Sequence, residues 1–265
     1  MPTIAIDGVA LHYEEQGTGS PILFIHGAAG FADIWGPSLG ELAASHRVIS
    51  YDRRGYEQSR HPPVADYHRH GEDAAGLLRA LNAAPATVVG WSGGGLTALD
   101  LVIHHPDLVR ALVIIEPPLH AKRHMSFGMF RAFAAVQVLR RFGSERHATA
   151  RFLRWATSHT SGGCAFDQLP VAVQDRMLDT APATLADLDA GTGEYLSMAQ
   201  IAAIRCPVTC LVGGLSDSAL VDATRRILKA LPSAKHVTVA GVGHALPMEA
   251  PRALVEATQR AAAGD

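Results

Sequence analysis

The residues with the most specific chemical pattern are those of the stretch VVGWSGGG, residues 88–95, which places Ser92 among glycines directly after an apolar run. Gly90-Trp91-Ser92-Gly93-Gly94 fits the pattern G-x-S-x-G, which at a strand-to-helix turn holds a serine exposed above the helix N-terminus. At that position the helix dipole and the free N–H groups favour negative charge. We therefore predict that Ser92 is a nucleophile for acyl transfer.

A serine hydroxyl needs a base within hydrogen-bond reach before it attacks a carbonyl carbon. Among fourteen histidines, His244 is the best placed, because it follows the last predicted strand in a loop that contains Gly241 and Gly243. The histidines of polar loops and helix ends are interpreted as solvated or capping residues. They are His61, His68, His70, His104, His105, His120 and His124.

Two carboxylates are candidates for the acid that orients this imidazole. Glu116 immediately follows the sixth predicted strand in IIEPP, and Asp217 lies just beyond the seventh in LVGGLSDS. An acid directly against an apolar strand end is costly without a partner, which favours a role for Glu116. Asp217 fits equally well as a turn residue or a helix N-cap.

The glycine-rich stretch FIHGAAG, residues 24–30, supplies a further part of the predicted site. A loop of small residues after the third predicted strand can offer the backbone N–H of Ala28. Together with the N–H of Gly93, it would form an oxyanion hole. His26 is interpreted as the residue that holds this loop.

Alternating strand and helix patterns surround these residues and predict an α/β fold. Strands are predicted over residues 4–6, 9–15, 21–25, 47–51, 86–91, 111–115, 207–213 and 234–239. Helices are predicted over about 33–45, 71–83, 93–105 and 219–230, and from about 249. The first two strands form a hairpin through Asp7-Gly8. The unbroken apolar runs of the others favour an eight-stranded, mostly parallel sheet with helices on both faces.

Residues 117–203 interrupt this pattern with several helical runs and no convincing strand. We predict that they form a helical cap, or lid, inserted after strand six, and that residues 1–116 and 204–265 form the core domain. Aromatic side chains that flank the two glycine-rich motifs, together with aromatic and methionine side chains of the cap, are candidates for a substrate pocket. They are Trp35, Trp91, Met125, Met129 and Phe133. The basic residues in the first part of the cap are interpreted as a solvated face.

The composition of the chain limits the classes of binding partner that we expect. The 265 residues are 48% hydrophobic and carry a net charge of −2, which gives no reason to expect binding to nucleic acid or to an anionic membrane. No apolar stretch approaches the ~20 residues that span a bilayer, and the N-terminus lacks a signal-peptide pattern. We expect a cytoplasmic protein, and a homodimer is left open.

With these motifs in order, the chain resembles the α/β-hydrolase family. The matching stretches are FIHGAAG, YDRRGYEQS, GWSGG, IIEPP and GVGH. The resemblance implies a serine hydrolase without a cofactor or metal. In that family the acid usually stands at the position of Ser216, one residue before Asp217. Glu116 instead stands 24 residues after Ser92, as in zearalenone lactonase-like hydrolases, and we favour Glu116.

These residues predict hydrolysis of a carboxylic ester or lactone, through an acyl-enzyme, on an apolar small molecule. A carbon–carbon bond hydrolase, a thioesterase or a perhydrolase would use the same residues. A ligand-binding protein without catalysis is the alternative from another class. An epoxide hydrolase or a haloalkane dehalogenase is disfavoured, because each needs a carboxylate where Ser92 stands. The role of Glu57 in the YDRRGYEQS stretch stays open.

Overall fold

A computed structural model describes residues 2–264, and within them eight strands form one sheet in the order β1-β2-β4-β3-β5-β6-β7-β8. The strands are β1 (Thr3–Ile6), β2 (Val9–Gln16), β3 (Pro21–Ile25), β4 (Arg47–Tyr51), β5 (Ala86–Trp91), β6 (Val109–Ile115), β7 (Val208–Gly213) and β8 (Lys235–Val239). Strand β2 is antiparallel to β1 and β4, and the remaining pairs are parallel. The predicted eight-stranded, mostly parallel sheet is confirmed.

The helices lie on both faces of the sheet and between β6 and β7. They are α1 (Pro37–Ala43), α2 (Tyr67–Ala80), α3 (Gly93–His104), α4 (Phe127–Arg141), α5 (Glu145–Ala156), α6 (Ala165–Gln168), α7 (Val171–Asp179), α8 (Ala181–Ala190), α9 (Met198–Ala202), α10 (Ser218–Ala230), α11 (Leu246–Glu249) and α12 (Pro251–Ala263). One apolar core packs α1 and α12 against the sheet, and a second packs α2, α3 and α10. No helix in residues 2–264 is long and apolar enough to cross a membrane.

Capping residues account for the helix that begins earlier than predicted. Asp66 caps α2, and its side chain accepts a hydrogen bond from the N–H of His68 at 2.9 Å, so the helix starts at Tyr67 rather than at residue 71. His68 and His70 therefore lie in a helix and not in a polar loop, and the prediction of a loop was wrong. His70 is also buried, with only 1% of its surface exposed.

The helices between β6 and β7, α4 to α9, form an insertion above the carboxyl ends of the strands. Within the described residues of this insertion, the only β-structure is one isolated bridge between Ser158 and Cys164. Several arginines that the sequence placed on a solvated face are paired with acids of the same insertion. The pairs are Arg140–Asp189, Arg146–Asp175, Arg146–Asp179 and Arg154–Asp167. These partly exposed pairs balance much of the local positive charge.

Two ion pairs join the insertion helices to the loop after β4. The guanidinium of Arg53 donates two hydrogen bonds to Asp187 of α8, at 2.6 and 3.2 Å, and both side chains are buried. Arg176 of α7 donates to Glu57 at 2.8 Å and also pairs with Asp33. Glu57 thus has a structural role that the sequence alone left open.

The loop after β4 is held in place by two buried side chains, Asp52 and Arg54. Asp52 accepts hydrogen bonds from the backbone N–H of Ala32 at 2.7 Å and of Gln58 at 3.1 Å. Arg54 donates to both carboxylate oxygens of Asp73 in α2, at 2.6 and 2.7 Å. Because Arg53 lies between these two anchors, the loop sets where Arg53 meets the insertion.

Asp73→Asn tests the importance of this anchoring. The side chains of Arg54 and Asp73 are only 4% and 1% exposed, and removing one partner of a buried ion pair typically costs about 3–5 kcal/mol. We expect this variant to lower the free energy of unfolding, measured by urea denaturation, by that amount. The matched control is Glu256→Gln, which removes the exposed partner of Arg252 and should cost less than about 1 kcal/mol. Equal losses in the two variants would contradict the anchoring role.

Candidate active site

Ser92 lies in the turn between β5 and α3 and has an unusual backbone conformation. Its φ of 55° and ψ of −120° are rarely adopted by residues with a side chain. The N–H of Ser92 donates to the carbonyl of Ile115 at the end of β6, at 2.9 Å, which holds the turn against the sheet. The structure therefore contains the strand-turn-helix arrangement in which the G-x-S-x-G pattern holds a serine exposed above a helix N-terminus.

The glycines of this stretch are required by close backbone approach. A Cβ atom on Gly90 would lie 2.5 Å from the carbonyl oxygen of Gly94, and one on Gly94 would lie 2.0 Å from that of Ile25. Both separations are far below van der Waals contact. Neither position can therefore carry a side chain without moving α3 away from the sheet.

The loop after β3, residues 26–30, packs directly against Ser92. A Cβ atom on Gly27 would lie 3.0 Å from the Cβ of Ser92. His26 holds the loop, since its Nδ1–H donates to the carbonyl of Gly27 at 2.7 Å and its Nε2 accepts from the N–H of Arg53 at 3.0 Å. Burial, with a further contribution from the Arg53 charge, lowers the pKa of His26 well below its usual value. The neutral ring that results can accept the Arg53 hydrogen bond.

His244 lies in the loop after β8 and is hydrogen-bonded to Glu116. The distance from His244 Nδ1 to Glu116 Oε2 is 2.6 Å, and both side chains are buried. Glu116 Oε1 accepts a second hydrogen bond, from the N–H of Gly213 at the end of β7, at 2.8 Å. Since Nδ1–H donates to the carboxylate, Nε2 of His244 is left as the unprotonated nitrogen. The indole N–H of Trp91 donates to the backbone carbonyl of His244 at 2.8 Å and fixes the loop.

Asp217, the alternative acid, has other partners. It caps α10 by accepting from the N–H of Ala219 at 2.9 Å. Its second oxygen accepts from the hydroxyl of Ser126 at 2.9 Å and from the indole N–H of Trp155 at 3.1 Å. Asp217 therefore joins α10 to the insertion helices, and the structure brings His244 together with Glu116 instead.

One pocket lies above Ser92 and His244, between the strand ends and the insertion helices. Ala28 and Gly93 line it, as do Met129 and Phe133, all of which were predicted at the site. The other side chains lining it are Tyr67, Pro118, Phe152, Trp155, Ala156, Asp187, Leu188, Thr192, Leu220 and, through its backbone, Gly191. The lining is apolar apart from a few polar groups close to Gly93.

The other three predicted pocket residues lie elsewhere. Trp35 is buried beneath the site, where it packs edge-on against Phe24 and Trp91. Trp91 supports the His244 loop through its indole N–H. Met125 precedes α4 and is 41% exposed at the surface of the insertion. Trp35 and Trp91 show that closeness in sequence to a motif does not place a side chain at the cavity.

A buried polar group at the pocket was missed by sequence reasoning. A Cβ atom on Gly93 would lie 2.8 Å from the hydroxyl of Tyr67 and 3.4 Å from Asp187 Oδ2, so both groups lie beside Gly93. Asp187 accepts from Arg53 and, at 2.7 Å, from the hydroxyl of Tyr56. Burial, together with the Asp187 charge, raises the pKa of Tyr67 well above its usual value, so its hydroxyl stays protonated. Of these residues, only Arg53 and Tyr56 carried a signal, because both lie in the YDRRGYEQS stretch.

Within residues 2–264, one group of three histidine, cysteine or acidic side chains lies within metal-ligand reach, and it lies outside this pocket. Its members are His68, Asp100 and His104. The residues around Ser92 instead combine a serine hydroxyl, an imidazole oriented by a carboxylate, and backbone N–H groups. That combination is suited to acyl transfer.

Comparison with known proteins identifies the family to which this chain belongs. A model of the alpha/beta hydrolase family matches residues 22–257. The "uncharacterized hydrolase YraK" of Bacillus subtilis is 37% identical over 118 residues, which are 43% of this chain and 44% of that protein. A 2-hydroxymuconate semialdehyde hydrolase of a Pseudomonas strain is 38% identical over 113 residues, 41% of this chain and 40% of that protein. The matched segments thus span less than half of either relative.

A solved structure extends the similarity of fold to nearly the whole chain. The enol-lactonase from Burkholderia xenovorans LB400 superposes with a TM-score of 0.80 at 21% identity, covering 97% of this chain and 98% of that one. This likeness concerns the fold. Taken with the family model, which runs from β3 into α12 and includes Ser92, Glu116 and His244, it shows that the chain belongs to the alpha/beta hydrolase family.

Proposed function

We propose that this hydrolase cleaves a carboxylic ester or a lactone with Ser92 as nucleophile, His244 as base and Glu116 as the orienting acid. The observation that carries the proposal is the 2.6 Å hydrogen bond between His244 and the buried Glu116, in the pocket that Ser92 also lines. This arrangement leaves the imidazole Nε2 as the proton acceptor. It also places a negative charge where it stabilises the imidazolium that forms during catalysis.

The reaction proceeds in two halves. In the first, Ser92 Oγ attacks the carbonyl carbon while His244 takes its proton, and the N–H groups of Ala28 and Gly93 stabilise the oxyanion. His244 then protonates the leaving oxygen, and the acyl group stays on Ser92. In the second half His244 removes a proton from water, and the hydroxide attacks the carbonyl carbon of the acyl-enzyme. The bond between that carbon and Ser92 Oγ then breaks while His244 returns the proton to Oγ, which releases the acid and regenerates Ser92. With a lactone, the leaving alcohol stays attached to the acyl chain.

The pocket lining supports an apolar substrate. Met129, Phe133, Phe152 and Leu220 favour a small apolar group over a charged one. The Tyr67 hydroxyl beside Gly93 adds one hydrogen-bonding position close to the reacting carbonyl. The Asp187 charge is balanced by Arg53, so the polar end of the pocket does not require a charged partner.

Ser92→Ala tests the nucleophile. We expect the folded variant to lose at least about 10⁴-fold in kcat for the hydrolysis of 4-nitrophenyl acetate and butyrate, because no other hydroxyl can form the acyl-enzyme. The matched control is Ser45→Ala at an exposed serine, which should retain the full rate. Circular dichroism and Tm establish that both variants are folded. Undiminished turnover by Ser92→Ala would overturn the proposal.

A comparison of Glu116→Gln with Asp217→Asn tests the acid. Glu116→Gln removes the charge that orients and stabilises the imidazole, and we expect kcat to fall by about 10³–10⁴-fold. Asparagine caps helices about as well as aspartate, so Asp217→Asn should leave kcat within about threefold while lowering Tm through its lost contacts to the insertion. Loss of activity only in Asp217→Asn would show that our choice of acid is wrong.

A second candidate substrate is 2-hydroxymuconate semialdehyde, after the activity named for the Pseudomonas relative. Use of the same serine and histidine on such a substrate would also give an inactive Ser92→Ala. Comparing kcat/KM for this compound with that for short nitrophenyl esters and simple lactones separates the two candidates. We expect the esters or lactones to give the higher value.

A further inference from the structure

A carboxylate far along α3 from Ser92 is held between two helices and two imidazoles. Asp100 is 1% exposed, and its Oδ1 lies 3.1 Å from Nδ1 of His68 in α2 and 3.4 Å from Nδ1 of His104 in α3. A Cβ atom on Gly71 would lie 2.2 Å from Asp100 Oδ1, so the absence of a side chain there admits the carboxylate. The position of this oxygen is therefore fixed by backbone packing on the α2 side.

The charge of Asp100 lacks a permanent cationic partner. Within residues 2–264 its ion-pair partners are the two histidines, which are cationic only when protonated, and no lysine or arginine lies within ion-pair distance. The Tyr195 hydroxyl lies near this carboxylate, and Asp66 adds a second negative charge near Tyr195. A divalent cation would balance these charges better than a neutral imidazole does.

We propose that His68, Asp100 and His104 bind one zinc ion that joins α2 to α3. In a tetrahedral site with bonds of about 2.0–2.1 Å, neighbouring ligand atoms lie about 3.3–3.4 Å apart. The distances of 3.1 and 3.4 Å from Asp100 Oδ1 to the two imidazole nitrogens match this spacing. Two nitrogens and one oxygen leave the fourth position to water, and zinc commonly takes such a donor set.

Both imidazoles are free to adjust their orientation around an ion. The three ligand atoms all lie within 4.8 Å of one another. The side chains of His68 and His104 are 47% and 35% exposed, and rotation of either ring is not blocked by a buried environment. Zinc binding must also replace the hydrogen bond from His104 Nδ1 to the backbone carbonyl of Asp100, at 3.0 Å.

The expected role of the ion is structural. The three ligands do not line the pocket that contains Ser92, so the ion would not take part in the reaction. It would join the first turn of α2 to the last turn of α3, the helix whose N-terminus follows Ser92. A ligand that binds only the folded chain stabilises it by mass action.

Zinc titration of protein first dialysed against a chelator tests the proposal. Isothermal titration calorimetry of the full chain with zinc chloride should give one ion per chain. At zinc one hundred times above Kd, Tm should rise by at least about 5 °C. The double variant His68→Gln/His104→Gln should lose at least tenfold in affinity and most of the rise in Tm. The control His61→Gln changes an exposed histidine outside the cluster and should behave like the wild type.

The outcomes that overturn the proposal concern the wild type and the double variant. The proposal is overturned if the wild-type chain does not bind zinc at about 100 µM. It is also overturned if the wild type and the double variant bind zinc with equal affinity. If the double variant does not fold, Co²⁺ added to the wild type serves instead, because a four-coordinate site gives intense visible absorption and its absence contradicts the site. Neither readout uses hydrolysis, so the result is independent of the function proposed for Ser92.

Discussion

The hydrogen bond between Glu116 and His244 is the interaction on which the rest of the site depends. Glu116 is completely buried at the end of β6 and also accepts the N–H of Gly213 at the end of β7, so it holds two strand ends and the histidine loop together. A buried carboxylate without these partners would be costly. The family's usual acid position is occupied by Ser216, a buried hydroxyl without a hydrogen-bond partner in the described structure.

Close backbone packing around Ser92 is a second requirement of the site. The strained turn at Ser92 exists because Gly90 and Gly94 let α3 lie against β3 and β5, and the N–H of Ser92 is held by the carbonyl of Ile115. The next residue after Ile115 is Glu116, so one strand end supports both the turn at Ser92 and the carboxylate that contacts His244. The Arg53–Asp187 pair then holds the insertion over this edge, which closes an apolar pocket above Ser92.

Local patterns predicted the strands, the turn at Ser92 and the loop that contains His244, because apolar runs and glycine spacing determine these features over a few residues. The sequence left two candidates for the acid, Glu116 and Asp217, because each follows one of two neighbouring strands. Only three-dimensional packing shows which of the two carboxylates contacts His244. The Asp187 carboxylate gave no signal, because its contact with Arg53 joins residues far apart in the chain. Met125 was misplaced for the related reason that helix orientation within the insertion decides which side chains face the pocket.

The most direct test of the account is covalent labelling of the folded wild-type chain with a fluorophosphonate, followed by mass spectrometry of its peptides. This reagent reacts with a serine that is activated by a base and faces an oxyanion site, so it reports on the assembled arrangement and not on any one substrate. We predict one label per chain, located on Ser92, and none in Ser92→Ala. A folded wild-type chain that takes up no label, or takes it up on another residue, would contradict the account.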